Sequence, residues 1–91
     1  MITYIIRHHV PGRIRIEIPG MKKMNTDDLK RLDDVVTREW RIEGITDFRA
    51  NPFTGSAIIK YDPVAIDIMG YLSAMAADEE IKNVIKDGSF P

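Results

Sequence analysis

The chain has 91 residues, which is the size of one small domain, and we expect residues 1–91 to form a single one. It contains no cysteine, which excludes disulfides, thiolate metal sites and a cysteine nucleophile. Its net charge of −1 argues against non-specific nucleic-acid binding by the chain as a whole.

The charged side chains are unevenly distributed along the chain. Residues 1–23 carry a net charge of +4, because five basic side chains are opposed by Glu17 alone. The five basic residues are Arg7, Arg13, Arg15, Lys22 and Lys23. Residues 24–91 carry a net charge of −5. We therefore expect a basic surface built by the N-terminal segment and an acidic remainder.

Apolar and polar side chains alternate over residues 2–18, which indicates β structure with one apolar and one polar face. Pro11-Gly12 interrupts the alternation and marks a turn or a bulge. Two shapes preserve it, namely one long strand bent at this dipeptide or a hairpin with an odd-numbered loop. In both shapes His8 belongs to the apolar face. The polar face then holds Arg7, His9, Arg13 and Arg15.

A loop is predicted over residues 19–25, followed by the first helix. Thr26 is the predicted N-cap, and the helix is expected to run to about Arg41. Four apolar side chains recur at helical spacing and should face the sheet. They are Leu29, Leu32, Val36 and Trp40.

The second half of the chain predicts a hairpin followed by two helices. Its strands are Ile45–Asn51 and Ser56–Tyr61, joined by a turn over residues 52–55. Asp67 is the predicted cap of the second helix, and Asp78 begins a short third one. The second helix should bury Ile68, Leu72 and Met75; the third should carry Ile81, Val84 and Ile85 and end at Gly88. The last three residues are expected to fray.

This order of elements predicts an α+β fold with helices on one face of an antiparallel sheet. A right-handed crossover through the first helix makes it a ferredoxin-like sandwich. The N-terminal segment is an extra strand, and the short C-terminal helix is an addition at the other end of the chain.

Residues 44–63 closely resemble the second half of a heavy-metal-associated domain. The residues at that family's spacing are Gly44-Ile45, Asn51, Thr54-Gly55, Ala57 and Tyr61-Asp62-Pro63. Gly20-Met21 also matches the start of the family's Gly-Met-x-Cys-x-x-Cys motif, but Lys23 and Thr26 stand at the two cysteine positions. The family's final strand is not visible, and residues 2–8 are the expected substitute at that edge of the sheet.

Residues 7–15 resemble a cysteine-free branch of this superfamily, in which a histidine shortly precedes Pro-Gly-Arg-x-Arg. Here the segment reads Arg7-His8-His9-Val10-Pro11-Gly12-Arg13-Ile14-Arg15. Domains of that branch occur alone or at the N-termini of P-type metal-transporting ATPases, including ATPases tied to bacterial iron-storage compartments. The resemblance implies a role in metal handling without identifying a ligand.

The function expected from this resemblance is that of a non-enzymatic accessory or docking module in bacterial transition-metal handling, with iron as the metal. The expected partner is a P-type metal ATPase or another metal-handling protein, contacted through the basic strand face and the Gly20–Thr26 loop. The candidate contact residues are Arg7, Arg13, Arg15, Lys22 and Lys23. No nucleophile–base pair or phosphate-binding loop is recognisable, which agrees with a protein that is not an enzyme.

We expect a cytoplasmic protein that reaches a membrane only through its partner. No signal peptide is evident, and no apolar stretch is long enough for membrane insertion. A nucleic-acid partner is not expected, because the strands lack a basic-aromatic signature. Homodimerisation through an exposed edge strand stays open.

Two alternatives remain at this point. One is direct binding of iron, another metal or haem through His8 and His9, with further ligands from Asp or Glu elsewhere in the chain or from a second subunit. Adjacent strand residues point to opposite faces, so these two cannot chelate one ion without a bulge. The other alternative is binding of an anion or a nucleic acid by the Arg7, Arg13 and Arg15 face.

Overall fold

The computed structural model describes residues 2–85. They form a four-stranded antiparallel sheet with helices on one face, as predicted for a ferredoxin-like α+β fold. The strands are β1 Ile5–Val10, β2 Arg13–Glu17, β3 Ile45–Asn51 and β4 Ser56–Tyr61, in the order β1-β2-β4-β3. The helices are α1 Thr26–Val35, α2 Ile68–Ala77 and α3 Glu79–Val84. A 3₁₀ turn, Pro19–Lys23, lies within the predicted loop, and a π-helical turn, Val36–Trp40, extends α1.

The N-terminal segment is a hairpin with a two-residue loop, so the prediction of a bent strand or an odd-numbered loop is wrong. Gly12 in that loop has a φ of +88°, a conformation that glycine adopts at little cost. A β-bulge at Arg7 restores the alternation, since the strand pairing steps from His8 opposite Arg15 to Ile6 opposite Ile16. Pattern alone did not reveal this bulge, because the inserted residue is itself polar.

The hairpin register exchanges the predicted positions of the two histidines. His9 lies opposite Ile14 and therefore shares the face of the sheet that the helices cover. His8 lies opposite Arg15 and shares the other face. The prediction that His9 joins the arginines is thus corrected, since His8 occupies that place.

Strand β1 pairs antiparallel with β2 and forms one edge of the sheet. An edge strand was expected from residues 2–8; the strand found at this edge spans Ile5–Val10, and residues 2–4 lie outside it. All six residues of β1 are exposed, and Ile5, Ile6 and Val10 each keep 41% of their accessible surface. The helices therefore leave this edge uncovered.

The core lies between the sheet and the three helices. Its largest fully buried side chains are Ile14, Met21, Leu32, Val36 and Ile59. The predicted boundaries of β3 and β4 match the structure, and the three residues expected to face inward from α2 are buried. In α3, Ile81, Val84 and Ile85 are buried as expected, whereas Gly88 and the last three residues lie outside the described part of the chain.

An aromatic contact joins α2 to the end of the π-helical turn that follows α1. Trp40 packs edge-on against Tyr71, with ring centroids 5.5 Å apart, and Tyr71 donates a hydrogen bond of 2.6 Å to the Trp40 carbonyl. Burial raises the pKa of Tyr71 to about 12. The contact anchors the end of the long first helical segment on its neighbour.

Helix α1 begins one residue earlier than predicted, because Asn25 and not Thr26 is its N-cap. The Asn25 side chain accepts a hydrogen bond of 2.8 Å from the Asp28 amide, and the Asp28 carboxylate accepts one of 3.4 Å from the Asn25 amide. These reciprocal bonds form a capping box, which satisfies two amides that the helix leaves unpaired.

We expect Asn25→Ala to lower the free energy of unfolding by about 1 kcal/mol, because an alanine cap leaves the first helical amides without that acceptor. Thr26→Ala is the matched control, since Thr26 is already inside the helix, and its effect should stay within about 0.5 kcal/mol. Urea unfolding of both variants measures the difference. An equal loss in the two would contradict the assignment of the cap.

Candidate interaction surface

The face of the sheet that the helices do not cover is here called the open face. The strand register determines its members, because residues opposite one another on neighbouring strands share a face. The open face holds Ile5, His8 and Val10 of β1, Arg13, Arg15 and Glu17 of β2, Ser56, Ile58 and Lys60 of β4, and Asp47, Arg49 and Asn51 of β3. The bulged residue Arg7 also reaches it through a contact with Glu17.

Two arginines at the sides of the open face are neutralised by carboxylates of the same face. The Arg7 Nε donates to the Glu17 carboxylate at 2.8 Å, and the Arg49 Nε donates to Asp47 at 3.0 Å. Both pairs are exposed, so each contributes little to stability. Their effect is to confine the uncompensated positive charge to the middle of the sheet.

The middle of the open face holds three basic side chains without an ion pair among the described residues, namely Arg13, Arg15 and Lys60. We call these three the basic patch. Arg13 lies directly opposite Lys60 on the two central strands, and Arg15 lies opposite Ile58 in the next row. Like charges placed directly opposite one another across a sheet are destabilising. Lys60 also lies opposite Asp47 of β3, but that carboxylate is paired with Arg49. The three cations of the basic patch therefore make no ion pair among the described residues.

Lys60 was missed by the sequence reasoning, although it completes the basic patch. It comes 45 positions after Arg15 in the chain, and only the pairing of β2 with β4 brings the two together. The available signal was the alternation Ile59-Lys60-Tyr61, in which a lysine separates two buried residues. That pattern predicts an outward-facing lysine but not its neighbour.

The two lysines of the 3₁₀ turn lie at the margin of this surface. Lys22 packs against the β3–β4 turn at Gly55, and its charge contributes to a lowered pKa of Glu17. It therefore extends the positive surface beyond the end of β2. Lys23 is exposed and has no ion pair among the described residues, and nothing links it to the basic patch. The predicted contact residues thus form a connected surface except for Lys23.

The hydrogen bond from Arg7, together with its charge, lowers the pKa of Glu17 below the usual 4.5. Because the folded state prefers the ionised carboxylate, this pair supports the hairpin above pH 4.5, and that support is lost as the pH falls through the lowered pKa. We expect the Glu17 carboxyl resonance to titrate at lower pH in the native chain than in Arg7→Ala. Identical midpoints in an NMR titration would contradict the ion pair.

The two histidines do not form a shared metal site. They lie on opposite faces of the sheet, as predicted, and the Nε2 of His9 shares a hydrogen bond of 2.7 Å with the buried Tyr61 hydroxyl. His8 is exposed on the open face next to Arg15. Within residues 2–85 no group of three His, Asp or Glu side chains is placed to hold a metal ion. A metal or haem site shared with a second subunit stays a prediction.

The positions that correspond to the family's metal loop hold no thioether site either. Met21 is completely buried in the core, and Met24 is half-buried beside it. The cavity that Met21 lines together with Ile16 and Leu72 has a volume of about 30 Å³, which is the space of a single water and too small for haem. A larger groove of about 560 Å³ runs between α1 and the β3 edge, but it is wide open to solvent.

None of the helices described in residues 2–85 is both long enough and apolar enough to cross a membrane.

Comparison with known families gives one clear match. The family model described as heavy metal associated domain 2 matches residues 3–85, which includes both segments that carry the resemblance noted above. No curated protein and no solved structure matches the chain.

Proposed function

The chain belongs to the heavy metal associated domain 2 family, and from this membership we propose that it is a docking module in transition-metal handling. Heavy-metal-associated domains are metal-binding or docking modules, and they often interact with metal-handling proteins. The choice between carrying a metal and docking a partner is made here from the residues of this chain. One observation favours docking, namely the uncovered sheet face with three cations that make no ion pair among the described residues.

The residues of this chain are poorly suited to carrying a metal ion by themselves. Lys23 and Thr26 occupy the two positions at which related domains place cysteines, and a lysine repels a cation. The histidines are separated by the sheet, and His9 is already bonded to Tyr61. These features support a domain that has kept the fold of a metal carrier and acts through its surface.

Electrostatic attraction is the physical basis of the proposed docking. Arginine presents a planar guanidinium that bonds a carboxylate through two parallel hydrogen bonds, so Arg13 and Arg15 are suited to an acidic partner. Complementary charge mainly raises the association rate and selects the partner. A module that meets its partner briefly during metal transfer or regulation needs these two properties.

The proposed partner is a P-type metal ATPase or another protein of the same system, with iron as the metal and the bacterial cytoplasm as the location. The chain would meet the membrane only through that partner. The proposal also assigns it no catalytic activity. The proposed contact surface comprises Arg7, Arg13, Arg15 and Lys22, joined by Lys60, and Lys23 is proposed as a separate contact beside it.

The test is a binding measurement between the full chain and the recombinant cytoplasmic domains of a P-type metal ATPase from the same genome. Calorimetry with a metal chelator present should give saturable binding that weakens as salt rises from about 50 to about 300 mM, because exposed charges are then screened. Binding that requires added metal, or saturable metal binding without any affinity for the ATPase, would contradict docking as the function.

A further inference from the structure

We propose that the basic patch recognises an extended acidic protein segment whose two carboxylates lie two residues apart. This inference rests on the proposed docking function and specifies the chemistry of the partner. Three features of the surface support it, namely the spacing of the cations, the apolar side chains beside them and the residues that border them.

The spacing of the patch favours an extended segment. Arg13 and Arg15 are alternate residues of β2, so their Cα atoms are about 6.6 Å apart along the strand. Acidic residues at positions i and i+2 of an extended chain have the same separation and point to the same side. The first carboxylate then meets Arg13 and Lys60 together, and the second meets Arg15.

Apolar side chains lie beside the cations and give the segment a surface on which to pack. Ile58 lies opposite Arg15 and is half-buried, and Val10 lies opposite Arg13 with 41% of its surface exposed. The aliphatic stems of glutamate side chains can pack on such residues while the carboxylates reach the cations. The arrangement therefore favours an acidic peptide over a small inorganic anion.

The border of the patch argues against nucleic acid. Glu17 and Asp47 on the same face are already paired with Arg7 and Arg49, so beyond the basic patch the described strands offer no further cation without an ion pair to a continuing phosphate backbone. The open-face positions of the four strands carry no Phe, Tyr or Trp and only His8 as a ring side chain, whereas sheets that bind RNA stack two or three bases on aromatic residues. Protein is therefore the class of macromolecule that the surface fits.

The register of the patch leads to a distinctive expectation. Lys60 lies between Arg13 of β2 and Asp47 of β3, so a carboxylate at this position gains a favourable cross-strand neighbour on one side and a repulsive one on the other. Lys60→Glu should therefore abolish peptide binding while changing the melting temperature by less than about 3 °C, because the two cross-strand effects offset each other. A residue with only a structural role would not separate these two properties in this way.

The experiment is an amide NMR titration of the full chain with two synthetic peptides of equal composition. In acetyl-Gly-Glu-Thr-Glu-Gly-amide the acids are two residues apart, and in acetyl-Gly-Thr-Glu-Glu-Gly-amide they are adjacent. We expect shifts centred on Arg13, Arg15, Ile58 and Lys60, and an affinity at least about 5-fold higher for the spaced peptide, since only that peptide engages both carboxylates.

Two variants accompany the titration. Lys60→Thr removes the charge and introduces a residue that favours strands. It keeps the test decisive if Lys60→Glu does not fold. This variant should bind the peptide more weakly and keep the melting temperature of the native chain. Lys30→Glu is the control on α1, away from the open face, and should leave the affinity for the peptide unchanged within about 2-fold.

Several outcomes would overturn the inference. They are equal affinity for the two peptides, shifts on the helical side, or a loss of stability in both Lys60 variants. The inference would also be overturned if pyrophosphate, a single-stranded DNA octamer or phosphatidylserine vesicles bound the chain more tightly than the spaced peptide does. Concentration-dependent shifts of the open face without peptide, which indicate self-association, would overturn it as well. If the ATPase binds and the spaced peptide does not, this inference fails and the proposed function stands; if the peptide binds and the ATPase does not, the reverse holds.

Discussion

Reversing two charges of the basic patch, by Arg13→Glu with Arg15→Glu, is expected to weaken binding to the ATPase domains by about 100-fold. Both side chains lie on the open face without a carboxylate partner among the described residues, so in the native chain they are available to an acidic surface. In the variant two glutamates face that same acidic surface, and juxtaposed like charges cost several kcal/mol. Calorimetry at low salt measures the loss.

The matched control is Lys30→Glu with Arg41→Glu. It changes the net charge by the same amount but alters two exposed residues away from the open face. Lys30 lies in α1, and Arg41 directly follows the π-helical turn. A loss of affinity below about 3-fold is expected for it. If the control lost as much as the open-face variant, net charge and not the basic patch would govern binding, and the docking surface would be wrongly placed.

Ile59→Ala is expected to lower the free energy of unfolding by about 2–5 kcal/mol. Ile59 is fully buried in the central strand β4 and packs within the core between sheet and helices. Removing its side chain loses the burial of three carbons and leaves a cavity among residues that the sheet holds in place. For a domain of this size that loss is a large part of the total stability. Urea unfolding followed by circular dichroism measures it.

Ile58→Ala is the control for that prediction, because Ile58 is the preceding residue and points to the open face. It is only half-buried, so the expected loss of stability is below about 1 kcal/mol. The affinity of the Ile58→Ala variant for the acidic peptide should nevertheless be lower than that of the native chain. Comparable destabilisation by the two alanines would mean that the open face is buried in solution, which the proposed docking excludes.

The second half of the fold follows closely from the sequence. Strands β3 and β4 have the predicted ends, since Pro52 to Gly55 carry clear turn chemistry and Asp62-Pro63 stops the ladder. Helix α2 has its predicted cap, Asp67. In these segments the local sequence pattern and the tertiary packing favour the same structure, so the sequence alone predicts the boundaries of the elements.

The first half departs from prediction where two local solutions compete. Asn25 and Thr26 are adjacent N-cap residue types, and Asp28 selects Asn25 because only that choice places an acid three residues later. In the hairpin, the bulge at Arg7 cannot be recognised from the alternation of apolar and polar residues, because the inserted residue is itself polar. Each of these differences is one residue in length, yet the second exchanges the faces of His8 and His9.

The candidate surface was partly predictable for the same reason. Arg7, Arg13 and Arg15 were correctly placed on one face, although by a different hairpin from those considered. That Arg7 is neutralised by Glu17, and that Lys60 joins the others, depends on pairing between strands. Sequence periodicity gives the face of each residue, whereas the register decides which charges become neighbours.

Docking without metal is tested most directly by an amide NMR titration of the full chain with Fe(II), Zn(II), Cu(I) and haem, each in the presence and absence of the ATPase domains. We expect none of these four ligands to cause saturable shifts at His8 and His9 at concentrations of about 1 mM. We expect shifts of the open-face residues when the ATPase domains are added. Saturable shifts centred on His8 and His9 at stoichiometric metal or haem would contradict this account and identify the chain as a carrier.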